Sequence, residues 1–267
     1  MEYYIVYIYD CKEIRMKAAL IGYGKMGRLL ETRLLEKGHE ILAVVDPNYK
    51  EGKELASLGG LGLDVAIEYT SPATAVENIL FCAKEKIPLV TGTTGWYDRL
   101  PEVEKAVNAA GASLLWASNF SLGVNLFYRI AAYAAKLIDP FADYDVGGFE
   151  IHHNKKADSP SGTAKVLAER VLAQMSRKKK AVYEMLEKPP AADELHYASL
   201  RVGSVPGTHS LVFDSVADTI EISHSARSRE GFAAGTVLAA EWLAGVLSGG
   251  KKQSGVFTID DVLKELL

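Results

Sequence analysis

Between Glu150 and Thr163 the chain reads Glu-Ile-His-His-Asn-Lys-Lys-Ala-Asp-Ser-Pro-Ser-Gly-Thr. One short stretch thus gathers two histidines, two lysines and the small polar residues that open a helix. Histidine can exchange a proton near neutral pH. Lys156 adds a positive charge. Ser161, Gly162 and Thr163 are expected to present unpaired amides and two hydroxyls at a helix start, which makes a cradle for a carboxylate or a phosphate. Pro160 stiffens the turn before it. Each residue also has a plainer reading. A lone histidine is more often structural than reactive. His152 and His153 are neighbours on a strand and point to opposite faces, so at most one meets a substrate unless the strand ends there. Lys155 is expected to face solvent, and Asp158 to cap a helix or pair with a base. No set of Cys, His and carboxylate spacing completes a zinc site, so no metal is expected.

A second constellation is Gly22-Tyr23-Gly24-Lys25-Met26-Gly27. It follows a short apolar run and opens a helical pattern. In that setting Gly22 allows a tight turn, Gly24 lets backbone approach a pyrophosphate, and Gly27 lets helix and strand pack closely. The free amides and the helix dipole would hold the phosphates. Asp46, at the end of the next strand, can accept from both ribose hydroxyls, which favours a dinucleotide without a 2′-phosphate. Lys50 lies close enough in sequence to leave the phosphorylated form open. Gly92, Thr93 and Thr94, within Thr91–Gly95, follow a later strand and are expected to offer amides and hydroxyls to the nicotinamide end. Ser118, Asn119 and Phe120 close the strand after that. Asn119 either bonds a carboxamide or caps the next helix. A glycine-rich turn with an Asp cap, and a polar turn at Thr91–Gly95, are the unreactive readings.

The elements needed to position these groups are legible in the pattern. Strands are expected at Ala18–Ile21, Glu40–Val45, Asp64–Tyr69, Pro88–Thr91 and Ser113–Ala117. Helices are expected at Met26–Lys37, Thr74–Lys86 and Leu100–Ala110. Such alternation implies parallel βαβ units. The character changes after that. A long helix at Gly123–Ile138, a strand at Tyr144–His152 and a helix at Thr163–Met175 precede three strand-like runs, His196–Val202, Thr208–Phe213 and Thr219–His224. Short turns between them predict antiparallel neighbours. A last helix, Phe232–Val246, and a tail, Val256–Leu266, are expected to return to the first domain. The fold class is α/β: a Rossmann-type parallel-sheet domain (residues 1–122 and 230–267) with a smaller α+β domain for substrate and oligomerisation (123–229). The small sheet has an alternating pattern and must cover its second face, so the chain is expected to associate with itself.

The 267 residues suffice for two modest domains. Thirty basic against 34 acidic side chains give a net charge of −4, which offers nothing to nucleic acid or membrane. The one dense basic run, Arg177–Lys180, reads as a solvated helix end. Cys82 sits in an apolar helical pattern and reads as packing. With Cys11 as the only other thiol, a reducing, cytoplasmic setting is expected. Residues Tyr3–Tyr9 are apolar but too short for a signal peptide. They read as an extension upstream of Met16, or as a swapped strand.

From Met16 onward the chain resembles the 4-hydroxy-tetrahydrodipicolinate reductase (dihydrodipicolinate reductase) family. The resemblance rests first on Glu150, His152, His153, Lys156, Asp158, Pro160, Ser161, Gly162 and Thr163. Gly92-Thr93-Thr94-Gly95, Asn119–Val124, Arg201-x-Gly203, Gly207-x-His209, Ser228-Arg229 and Phe232-Ala233-x-Gly235 extend it. It implies NADH- or NADPH-dependent reduction of 4-hydroxy-tetrahydrodipicolinate to tetrahydrodipicolinate with loss of water, in diaminopimelate and lysine biosynthesis. It implies His152 as the general acid with Lys156 as its companion. It also implies His153 and Lys156 on one substrate carboxylate, and Gly162 and Thr163 on the other. A homotetramer is implied too. The glycine turn is one residue shorter than the family's G-x-x-G-x-x-G, and Pro47 follows Asp46 where a base is common. Two other readings are a different two-domain dehydrogenase, for homoserine or a sugar, and a dinucleotide sensor without catalysis.

Overall fold

The computed structural model describes residues 15–245 and 254–267. The expected N-terminal extension, with Tyr3–Tyr9 and Cys11, lies outside the described residues, as does Val246. In chain order the elements are β1 (Lys17–Ile21), α1 (Lys25–Glu36), β2 (Glu40–Val45), β3 (Val65–Glu68), α2 (Pro72–Lys84), β4 (Leu89–Thr91), α3 (Leu100–Ala110), β5 (Ser113–Trp116), α4 (Leu122–Ile138), β6 (Asp145–His152), α5 (Gly162–Leu172), β7 (Lys180–Val182), β8 (Glu194–Arg201), β9 (Thr208–Asp214), β10 (Thr219–Ser225), α6 (Glu230–Leu243), β11 (Gly255–Thr258) and α7 (Ile259–Leu266). Contacts divide the chain into two units. One runs to Ala117 and resumes at Thr236, and the other is the stretch Ser118–Gly235. The Ser118–Phe120 turn, expected in the first, falls in the second.

The first unit holds a six-stranded sheet of order β11-β5-β4-β3-β1-β2, and every pair in it is parallel. The strands are short apolar runs because helices cover both faces, which leaves no polar side to alternate with. Helix ends follow local chemistry. Pro72 at the first turn of α2 starts that helix before the expected Thr74, since proline has no amide to lose there. Lys86, at φ 56°, lies beyond its end. Gly111 ends α3 in the left-handed region. Cys82 is fully buried in this core, and burial pushes its thiol up to about 12. β1 lies between β2 and β3, so the strand order reverses there. In doubly wound sheets that is where ligands sit, beyond the carboxyl ends of the strands.

The second unit is built on a five-stranded sheet of order β10-β9-β6-β8-β7. This corrects one expectation. β8 and β9 follow each other in sequence but are not neighbours. β6 lies between them, parallel to β8 and antiparallel to β9. A short connection fixes reversal of direction, not adjacency, and Val202–Gly207 passes over the end of β6. There the Val202 amide donates to the His152 carbonyl at 2.8 Å, and Asn154 donates to Gly203 at 3.2 Å. Close packing of β6 on β8 depends on Gly148, where a Cβ would fall 2.5 Å from the Tyr197 ring. Helices α4 and α5 cover one face, with Phe127, Leu167, Val171, Tyr197, Leu211 and Phe213 in the core between them.

The basic run is a second correction. α5 ends at Leu172, and Arg177–Lys180 is not a solvated helix end. Arg177 donates to the carbonyls of Asp139, Phe141 and Tyr144. Lys178 is 3% exposed and reaches Asp145 at 2.6 Å and the Glu194 carbonyl at 2.7 Å. Lys180 begins β7, a strand that the charge run hid. A lysine stem lies along apolar surface readily when its ammonium finds acceptors.

Candidate active site

In the first unit, β1 delivers Gly22 at φ +93°, where a Cβ would stand 2.1 Å from the Tyr69 carbonyl oxygen. Only glycine fits that turn. A Cβ on Gly27 would lie 2.3 Å from the Gly22 carbonyl oxygen, so this glycine lets α1 sit against the turn. Gly24 differs, since a Cβ there would meet nothing within 4 Å. It is the cap of α1, which starts with no side-chain cap and no acid in its first turn. Its first amides are therefore open to an anion. Lys25 is exposed and Met26 half-buried beside it.

Asp46 stands just past β2. One carboxylate oxygen accepts from the Tyr23 amide at 2.7 Å and the other from the Asn48 amide at 2.8 Å. Each oxygen keeps a second lone pair. The Tyr23 phenol donates to Glu31, and that bond chiefly pushes its pKa up to about 12. The Tyr23 ring lies 4.4 Å from that of Tyr49, with the Arg28 guanidinium 4.7 Å above it. These features fit a dinucleotide: open amides, a close-approach glycine and a fixed carboxylate.

The Thr91–Gly95 segment is arranged differently from expectation. Thr91 and Thr93 turn inward. Their hydroxyls donate to Glu68, with Thr93 at 2.9 Å, and the Thr70 hydroxyl and amide reach the same carboxylate. Glu68 is fully buried at the end of β3 and needs those donors. Of the segment's hydroxyls, only that of Thr94 is on an exposed residue. A Cβ on Gly92 would fall 2.1 Å from the Tyr69 ring. Pattern reading did not single out Glu68. Its one signal was its position at the carboxyl end of a strand beside the reversal of strand order.

In the second unit the centre is Glu150, fully buried on β6. Its Oε1 accepts from the Ser161 amide at 2.9 Å, the Ser199 hydroxyl at 2.8 Å and Arg201 Nη2 at 2.9 Å. Its Oε2 accepts from the Ser161 hydroxyl and lies 3.3 Å from His209 Nε2. Burial alone would raise its pKa, but the bonds from His209, Ser161 and Arg201 outweigh it and hold the carboxyl below the ordinary range. Sequence quoted Glu150, Arg201 and His209 only within motifs and gave them no role. They meet because His209 stands opposite Glu150 on β9, while Arg201, opposite His152 on β8, reaches back along the same face.

His152, two residues on, shares that face. It is 7% exposed. Its Nδ1 lies 3.3 Å from Glu150 Oε2 without an aligned hydrogen bond, and its ring centroid is 5.1 Å from that of His209. Burial, joined by the charges of His209, Lys156 and Arg201, pushes its pKa down to about 4, although Glu150 opposes this. A Cβ on Gly207 (φ +154°) would lie 2.9 Å from His152 Nε2, so the crossing loop rests against the imidazole. His153 follows at the end of the strand. Lys156 pairs with Asp158 at 2.8 Å, and that bond lowers the Asp158 pKa. The Asp158 side chain is 58% exposed, so the pair is weakly held.

Ser161 caps α5 by accepting from the Ala164 amide at 3.1 Å and spends both its own donors on Glu150. Its hydroxyl is therefore turned to the protein, away from any ligand at the helix start. Gly162 and Thr163 follow as the first helical residues. A Cβ on Gly162 would meet nothing within 4 Å. Thr163 Oγ1 accepts from Asn119 at 3.4 Å, and the Asn119 Oδ1 accepts from the Ser121 amide at 2.8 Å. The cap of α4 is Ser121, not Asn119. Phe120 is buried. Glu150, His152 and His209 have the spacing of a metal-binding group. Arg201 on the same carboxylate, with Lys156 also acting on His152, disfavours a dication there.

Two family models match the chain. One, described as dihydrodipicolinate reductase, N-terminus, covers residues 16–120; the other, dihydrodipicolinate reductase, C-terminus, covers residues 123–263. A 4-hydroxy-tetrahydrodipicolinate reductase of Christiangramia forsetii is 39% identical over 94% of this chain and 99% of its own. One of Archaeoglobus fulgidus is 34% identical over 93% and 100%. Among solved structures, a dipicolinate-bound dihydrodipicolinate reductase from Paenisporosarcina sp. TG-14 superposes with a TM-score of 0.72 at 22% identity, covering 92% of this chain and 98% of that one. A myo-inositol 2-dehydrogenase from Lactobacillus plantarum reaches 0.59 at 12% identity, over 94% of each chain, and shares the fold alone.

Proposed function

The chain belongs to the dihydrodipicolinate reductase family, and from that premise we propose how its residues divide the work. Its activity is the NADH- or NADPH-dependent reduction of 4-hydroxy-tetrahydrodipicolinate to tetrahydrodipicolinate, with loss of water, in diaminopimelate and lysine biosynthesis. The observation that carries the division is the joining of His152 and the start of α5 through Glu150. A proton donor and an anion cradle are thereby held in one frame.

The cofactor-binding residues are Gly22–Gly27, with Asp46 on the ribose and Thr94, near Gly92 and Thr93, toward the nicotinamide. Asn119, flanked by Ser118 and Phe120, serves the carboxamide. When bound, the nicotinamide supplies the hydride. His152 gives the proton to the reduced ring. Its low pKa leaves it neutral in the empty site, and a dianionic substrate beside it restores the proton by favouring the charged imidazole. Lys156 leaves Asp158 to meet one substrate carboxylate together with His153. The Gly162 and Thr163 amides and the Thr163 hydroxyl take the other. Ser161 supports that cradle from behind.

Substituting Gly24→Ala tests the cofactor turn. The fold is expected to survive, since the methyl enters open space. NADH affinity is expected to fall about tenfold, or ~1.4 kcal/mol. Unchanged affinity by titration would remove Gly24 from the phosphate contact. For the whole reading, freshly made 4-hydroxy-tetrahydrodipicolinate is added to enzyme with NADH, and separately NADPH. Asp46 predicts faster turnover with NADH. A rate ratio favouring NADPH would reassign the ribose contact toward Lys50.

We also propose a cytoplasmic homotetramer. The sheet face carrying Phe149, Ile151, Ala198, Leu200 and Val212 is opposite α4 and α5, and Leu200 is 53% exposed. An apolar sheet face of this kind needs a cover. No helix of the described residues is long and apolar enough to cross a membrane. Light scattering of the purified chain measures the assembly directly, and a monomer at micromolar concentration would exclude it.

A further inference from the structure

We infer that Glu150 is a positioning residue for proton transfer: its one buried carboxylate orients His152, supplies the negative charge that the protonated imidazole needs, and locks that imidazole to the N-terminus of α5. This rests on the reading of His152 as the proton donor.

The sheet register makes the case. Ser199, Glu150, His209 and His224 stand directly opposite one another on β8, β6, β9 and β10, a polar row on the face that α4 and α5 cover. A buried carboxylate in such a row is costly unless donors converge on it. Here Ser161, Ser199, Arg201 and His209 converge, and they leave Oε2 within 3.3 Å of His152 Nδ1. That nitrogen is buried and without an aligned partner. Bonds of this kind are often loose in an empty site and tighten when substrate arrives. Closing it would fix the proton on Nδ1 when the ring is neutral and direct Nε2 outward, as an orienting carboxylate does for a histidine acid or base.

The charges around His152 point the same way. From its own strand comes Glu150, from β8 Arg201, from β9 His209, and from the following loop Lys156. His224 on β10 lies beyond His209, and Asp158 is taken by Lys156. Glu150 is the one negative group among those described that acts on the ring. Without it the imidazole would face cations alone. The same carboxylate holds the Ser161 amide and hydroxyl, so the distance from donor to cradle is set by a single side chain.

The test is Glu150→Gln, alone and in a His152→Asn background. The amide keeps the shape and one acceptor but removes the charge. Alone, it is expected to lower kcat about 100-fold, with KM changed less than about threefold. The alkaline limb of the kcat profile, where the donor loses its proton, should move about one pH unit toward acid. In the His152→Asn background the substitution should change kcat by less than about threefold, because its effect passes through that ring. Equal losses in both backgrounds, or an unmoved limb, would make Glu150 merely structural. If Glu150→Gln does not fold, Arg201→Gln is read instead. It removes a cation near His152 and should move the limb toward alkaline pH, and an unmoved limb would overturn the proposal. Should His152→Asn by itself keep full turnover, the donor assignment fails first, and the assignment of Glu150 falls with it.

Discussion

Replacing His152 with Ala is expected to cut turnover of 4-hydroxy-tetrahydrodipicolinate by about 100- to 10,000-fold, the range seen when a general acid is removed, while NADH binds as before. The two effects separate because the glycine turn and Asp46 belong to the parallel sheet, whereas His152 ends β6 of the other unit. Loss of NADH absorbance with substrate measures the first effect, and quenching or calorimetry the second. A His152→Ala, Lys156→Ala double variant that binds cofactor and turns over at the wild-type rate would remove both residues from the chemistry. The imidazole also leaves a mark on stability. In the unfolded chain it takes up a proton near 6.5, but in the folded chain only near 4. The unfolded state therefore binds more protons in that window, and the wild type loses stability as pH falls through it. His152→Ala should lose less over the same interval, which thermal melts at pH 7 and pH 4.5 would read.

Gly235→Ala should be the most damaging single added methyl among the described glycines. A Cβ there would fall 1.8 Å from the Phe120 carbonyl oxygen and 2.9 Å from its carbon. Both are backbone atoms at the entry to α4, so no side chain can swing aside. Overpacking of a rigid contact costs about 3 kcal/mol, and more when the backbone must move. The urea midpoint should drop by an amount that matches this cost at unchanged slope. A midpoint within error of the wild type would mean that α6 can slide, and that the contact is softer than it looks. The same glycine sits in the Phe232-Ala233-x-Gly235 motif, to which the residues alone gave no purpose.

That contrast shows what was legible. The alternation of short apolar runs and amphipathic helices is a local property, and it led to the parallel sheet, to α1 with its glycine turn, and to α5 with its polar start. What escaped was set by partners distant in sequence. Glu150 looks like any strand glutamate until Ser199, Arg201 and His209 arrive beside it from two other strands. Glu68 is similarly anonymous until three threonine hydroxyls turn toward it. Lys178 carries the signature of a solvated surface, yet Asp145 and a β8 carbonyl draw its ammonium inward. The neighbours of β8 could not be read from turn length, because a loop of modest length can step over one strand as readily as join two. Ser161 was expected to face a ligand, but a buried carboxylate claimed its donors.

β11 pairs with β5 across more than half the chain, Gly255 opposite Ser113. Read as an order of synthesis, this means that the ribosome delivers the stretch from Ser118 to Gly235 unbroken and complete, while the parallel sheet still waits for its outermost strand. Until then β5 is a bare edge with unpaired amides, the kind of surface that recruits the wrong chain. Closing it requires a contact of very long range, the slowest type to form. The late emergence of β11 therefore leaves that edge open to chaperones during synthesis, and a chain lacking β11 and the buried Val262 and Leu263 of α7 would keep the edge open once made.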